Sequence, residues 1–163
     1  FLTNGCNEKT YAIIGYMLNK TLSEHGTVSR GVCGVDANSN LVEINERTKI
    51  YRKDGVIIYE DAGIVYEVPE NSSVSMNFWC FHPAVFEVIG QLFAEFPKNN
   101  MDNLKAEFFI PIVADHFIKN GGSIKVIPTS AQWFGVTYKE DAPGVKKSID
   151  TLISNGEYPT KLF

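Results

Sequence analysis

The run Tyr11–Leu18 (Tyr-Ala-Ile-Ile-Gly-Tyr-Met-Leu) constrains the fold more than any other stretch of the chain. It is almost continuously apolar and lacks the polar alternation of a strand with one wet face. An extended segment of this kind must be covered on both faces, which is the condition of a strand inside an α/β sheet. Such a strand also needs sheet neighbours. Only a short segment precedes it, and the chain opens on Phe1 rather than Met. The expectation is therefore a processed or truncated chain whose Tyr11–Leu18 strand lacks partners. By itself, such a chain would be marginally stable or self-associating.

The next informative stretch is Thr27–Lys49. Gly31–Val35 has the small and β-branched residues of a strand, and Leu41–Asn45 resumes as a second. Between them lies Asp36-Ala-Asn-Ser-Asn, dense in residues that hydrogen-bond their own backbone in turns. Two short strands around such a loop predict a hairpin. A hairpin brings its mouths together, here Ser29, Arg30 and Gly31 against Glu46 and Arg47. Guanidinium forks match phosphate, and carboxylates accept sugar hydroxyls. The mouth is a candidate cradle for a hydroxylated, phosphorylated ligand.

Beyond Thr48 the pattern shortens. Lys53-Asp-Gly and Asp61-Ala-Gly are turn signals around the strands Val56–Tyr59 and Ile64–Val68, a small antiparallel excursion. Arg47, Lys49, Arg52 and Lys53 form a basic cluster that also fits an ordinary solvated face. Val74–Phe81 reads as a further strand. Inside it Asn77 is a polar amide in an apolar run, which either bonds to backbone or faces a ligand.

Pro83–Phe96 has helical periodicity, with Val85, Phe86, Ile89, Leu92, Phe93 and Phe96 making one wide buried face. His82, just before it, reads as a cap or turn residue. Ile110–Lys119 is a second helix, ended by Gly121-Gly122. Ser123–Pro128 is a strand, and Asp141–Ser154 is a last helix with Asp141 as N-cap. Strands and helices alternate in this half. The fold class is therefore α/β, a single domain over residues 1–163, with a mixed sheet flanked by helices and ligand contacts at strand ends.

Charge and cysteine usage narrow the function classes. Acidic residues number 19 against 15 basic ones, a net charge of −4. That argues against non-specific binding to nucleic acid or an anionic membrane. No apolar run approaches the ~20 residues of a membrane span. Cys6, Cys33 and Cys80 have no metal-type spacing, and an odd number is a poor disulfide framework. A reducing cytoplasm is the simplest setting.

Several segments together resemble a known family. They are the hairpin ending in Glu46-Arg47-Thr48, the apolar strand entering a helix, Lys105-Ala-Glu-Phe-Phe-Ile-Pro111, and Trp133-Phe-Gly-Val-Thr-Tyr-Lys-Glu-Asp141. In this order they resemble the sugar-1-phosphate nucleotidyltransferases, and more closely a bacterial nucleotidyltransferase-like branch. The resemblance covers nearly the whole chain but only a carboxyl-terminal portion of such an enzyme.

It implies a Rossmann-like sheet, here incomplete, and condensation of a nucleoside triphosphate with a sugar 1-phosphate to a nucleotide-sugar and pyrophosphate. Mg²⁺ would assist, with ligands mostly outside this chain. A non-catalytic sugar-phosphate or nucleotide-sugar binding module is the alternative. The implied partners are a sugar phosphate and a nucleotide, with neither nucleic acid nor membrane, and homo-oligomerisation is left open.

By position, Gly31 matches the glycine whose backbone touches the sugar, and Glu46 the carboxylate holding its hydroxyls. Arg47 stands where the family has a lysine beside the phosphate. Asn77 falls near the sugar-contacting strand, and Trp133 matches a tryptophan beside the sugar. The family's Gly-rich loop is missing, so a fragment inactive alone is expected. Its second metal-binding aspartate corresponds to Gly135 here.

Overall fold

The computed structural model describes residues 1–136 and 138–161, so Thr137 of the Trp133–Asp141 run lies outside the described residues. The strands are β1 (Thr10–Met17), β2 (Val28–Val35), β3 (Leu41–Lys53), β4 (Val56–Asp61), β5 (Ile64–Glu67), β6 (Ser73–Cys80) and β7 (Ser123–Thr129). The helices are α1 (Val85–Asn99), α2 (Ile110–Lys119) and α3 (Asp141–Ser154). The strands form one seven-stranded mixed sheet in the order β5-β4-β3-β2-β6-β1-β7. Only β1 and β7 pair in parallel; the other neighbours are antiparallel. The α/β class and the antiparallel excursion, β4 and β5, are as expected.

The expectation that the Tyr11–Leu18 strand lacks partners is corrected. β1 has β6 on one edge and β7 on the other. Its partners come from far downstream in the chain, where a search of the preceding residues cannot find them. Tyr11, Ala12 and Ile13 are almost wholly buried. On one side Tyr11 and Ile13 join Cys33, Leu41, Ile124 and Val126 beneath Val85, Val113, Ala114 and Phe117 of the helices. The Tyr11 ring stacks on Phe117 with centroids 4.0 Å apart. A second cluster of Leu18, Val28, Ile50, Ile57, Val68 and Val74 holds β3, β4 and the far end of the sheet.

The hairpin forms as its loop predicts. Asp36 Oδ1 accepts the Asn38 and Asn40 amides at 2.8 Å each, and Oδ2 accepts the Asn40 side chain at 2.9 Å. Hydrogen bonds from Asn40 hold the Asp36 carboxyl below its ordinary value. The register sets Arg30 opposite Arg47 and Gly31 opposite Glu46.

Three helix expectations need correction. The helix α1 runs through Pro97 to Asn99 rather than stopping at Phe96. Pro97 brings no N–H for the Phe93 carbonyl, and the helix ends within a turn of it, where the Asn100 amide donates to the Pro97 carbonyl at 3.2 Å. The wide apolar face of α1 is also divided. Val85, Val88, Ile89 and Leu92 meet the core. Phe86 and Phe93, a heptad apart on the helix shoulder, are 73% and 51% exposed. Finally, Asp141 is the first residue of α3 and Glu140 occupies the cap position. The Asp141 carboxylate instead turns back to the Tyr138 amide at 2.7 Å. His82 is a turn residue as expected, its Nδ1 accepting the Ala84 amide at 3.2 Å.

Candidate functional site

The site begins with irregularities in two strands. Between Ile13 and Gly15 of β1, β6 inserts a bulge spanning Met76–Phe78. Asn77 there has a φ of 57°, a left-handed conformation that asparagine tolerates better than most residues. Bulges re-aim side chains. Asn77 leaves the apolar run, and its backbone N–H donates to Ser75 Oγ at 3.1 Å. Across the sheet, β3 carries an extra residue near Lys49, at a φ of 52°, where the pairing shifts between Val28 and Arg30.

These distortions frame a cavity of about 280 Å³ lined by Ser29, Arg30, Gly31, Glu46, Asn77 and Trp133, with Ile44, Ser75, Met76 and Pro111 completing its wall. Its size lies just under the usual small-ligand range of about 300–1,000 Å³. Gly31 is buried, and a Cβ there would lie 3.0 Å from the Ile44 side chain. The glycine therefore lets β3 and β6 close on the cavity floor. Glu46 stands at the rim. Partial desolvation pushes its carboxyl above the ordinary value, and the attraction of Arg30 works against that rise.

Arg30 is the most constrained polar residue in the site. Its Nη1 donates to the Ser29 carbonyl at 2.7 Å, and its Nη2 to the Thr21 carbonyl. Its guanidinium carbon lies 5.1 Å from the Trp133 ring centroid, within cation–π range. Its Nε is buried and has no hydrogen-bond partner among the described residues. Burial lowers its pKa, and Glu46 opposes the shift.

Arg30 and Trp133 also line a second cavity of about 240 Å³, with Ser23, His25, Phe134, Gly135 and Asp141 among its walls. Ser23 Oγ donates to Asp141 Oδ1 at 2.9 Å, and His25 Nε2 lies 3.9 Å from the same oxygen. These contacts tie the loop before β2 to the start of α3. Arg30 and Trp133 thus form a wall between two adjoining hollows.

Of the five residues singled out from sequence, Gly31, Glu46, Asn77 and Trp133 share the larger cavity. Arg47 does not. The Arg47 guanidinium lies over the Tyr59 ring, 4.8 Å from its centroid. Nearby, Lys49 pairs with Glu60 at 3.7 Å and Arg52 with Glu70 at 3.4 Å. The basic cluster on β3 is therefore largely engaged in surface contacts. Ser75 and Pro111 escaped the sequence reading, although Ser75 is the cross-strand partner of Gly31.

Gly135 has a steric explanation. A Cβ at this position would sit inside the Trp133 ring. The ring fills the volume a side chain at 135 would need. Mg²⁺ takes oxygen ligands, typically carboxylates. Among the described residues no group of three or more His, Cys, Asp or Glu side chains is placed to hold a metal ion. Glu46 is the one carboxylate lining the larger cavity. No helix among them is long and apolar enough to cross a membrane.

In comparison with known proteins, the chain matches no family model and no curated protein.

Proposed function

We propose that this chain carries the sugar-phosphate-binding part of a sugar-1-phosphate nucleotidyltransferase, an enzyme that joins a nucleoside triphosphate to a sugar 1-phosphate. The observation that carries the reading is the convergence of Gly31, Glu46, Asn77 and Trp133, from separate parts of the chain, on one cavity. Their chemistry suits a sugar. A carboxylate accepts hydroxyl protons, and an amide both donates and accepts. An indole offers a broad apolar face. A buried glycine permits close backbone approach.

In the reaction so envisaged, the sugar phosphate attacks the α-phosphorus and pyrophosphate leaves. The catalytic task is mostly positioning of two anions and neutralisation of charge. This chain would contribute the acceptor side, with Glu46 and Asn77 orienting the sugar so that its phosphate faces the nucleotide. The reading takes the mixed sheet as Rossmann-like and incomplete, and the setting as cytoplasmic.

A second reading, a non-catalytic sugar-phosphate or nucleotide-sugar binding module, is favoured by one observation. At Gly135, where the resemblance calls for a metal-binding aspartate, the Trp133 ring occupies the side-chain space.

Calorimetric titration with a panel of hexose 1-phosphates tests both. Saturable binding is expected, and Glu46→Ala should weaken it roughly 10- to 100-fold, the loss of one hydrogen bond to a charged group. The melting temperature should hardly move, because Glu46 lies at the rim. Equal affinity of the variant would overturn the assignment. Pyrophosphate release with nucleoside triphosphates then separates the readings: release supports the enzyme, and binding without release supports the module.

A further inference from the structure

We infer that Arg30, rather than Arg47, is the anion-binding residue of this chain, and that it receives the phosphoryl group of the ligand whose hydroxyls meet Glu46 and Asn77. The inference rests on the proposed sugar-phosphate reading and deepens it. Arg30 and Arg47 face each other across the β2–β3 pair, so sequence position alone does not choose between them. Their surroundings do. Arg30 lines the cavity shared by Glu46 and Asn77, whereas Arg47 is laid over Tyr59 and is absent from that lining.

The Arg30 side chain is also held in place before any ligand arrives. Backbone carbonyls of Ser29 and Thr21 fix its two terminal nitrogens, and the Trp133 ring supports its flat face. A guanidinium fixed in this way loses little further freedom on binding, which favours a planar, directional contact to phosphate oxygens. The two carbonyl bonds use one N–H on each terminal nitrogen, so each keeps a second N–H that can donate to a ligand in the cavity. Charge-assisted hydrogen bonds from a guanidinium to phosphate oxygens are among the stronger polar contacts. Glu46 attracts Arg30 but makes no ion pair with it within 4.0 Å, and both residues line the same cavity. The outcome is selectivity: phosphorylated sugars over free ones.

Arg30, Arg47 and Arg52 are the only arginines of the chain, so each Nε–H can be followed by nitrogen-15 NMR on the unaltered protein. Arg47→Lys and Arg52→Lys assign the signals. Titration with glucose 1-phosphate is expected to shift and saturate the Arg30 signal while those of Arg47 and Arg52 stay in place. Arg30→Lys is expected to weaken glucose 1-phosphate at least tenfold, and unchanged affinity would overturn the inference. Movement of the Arg47 signal in place of that of Arg30 would overturn the inference while leaving the sugar-phosphate reading standing. Absence of saturable binding by any hexose 1-phosphate, in calorimetry and in the NMR titration alike, would overturn both.

Discussion

Trp133 and Gly135 are two residues apart, and each explains the other. The glycine has no Cβ, and the indole occupies the place where one would be. The same indole supports Arg30. Gly135→Ala should therefore displace the ring rather than disturb the core. The expected cost is about 0.5–1 kcal/mol, the size of a lost partly exposed cation–π contact. Intrinsic fluorescence checks it: in a Trp79→Phe background, Gly135→Ala should shift Trp133 emission to the red. Unchanged emission would mean that the ring does not rest on residue 135. The thiols are settled at this scale too. Burial pushes Cys33 up to about 12, so it stays protonated and unreactive at neutral pH.

Among the elements, α2 fastens the helical layer to the sheet and α1 only partly joins it. Phe117 stacks on Tyr11 at the middle of the core, with Val113 and Ala114 buried beside it. Phe117→Ala should cost about 3–5 kcal/mol, the range for deleting a buried aromatic side chain. Phe86→Ala, on the exposed shoulder of α1, should change stability by no more than about 0.5 kcal/mol. Urea unfolding midpoints of the two variants check the contrast, and equal losses would show that α1 is buried as deeply as α2. Periodicity located both helices. It could not rank them, because how deeply each helix sits on the sheet is set by tertiary packing and not by the spacing of its apolar residues.

Across the whole molecule, protection should follow sheet position. The strand β1 is enclosed by β6 and β7, while all four residues of β5 are exposed and α3 buries none of its residues fully. Native-state hydrogen exchange should be slowest at Tyr11–Ile13 and fastest in β5 and α3. Rapid exchange through β1 would contradict the double pairing. This is also where the expected instability of the chain fails in its premise, since β1 has both of its neighbours.

Much of this fold was legible in the order of residues. Turn chemistry at Asp36–Asn40 placed the hairpin, because side chains there bond to backbone a few residues away. Apolar continuity marked β1 as an interior strand, and helical spacing located α2. Four of the five candidate residues line one cavity. What sequence left open depends on contacts between distant segments. Pairing of β1 with β7 joins residues more than a hundred positions apart in the chain. The bulge that turns Asn77 out of β6 arises from register against β1. The choice between two facing arginines was decided by which one the loops at Thr21 and Trp133 could reach. Local chemistry acts over a few residues and can be read along the chain. The direction of a side chain on a strand is set by pairing, and pairing exists only once the sheet is assembled.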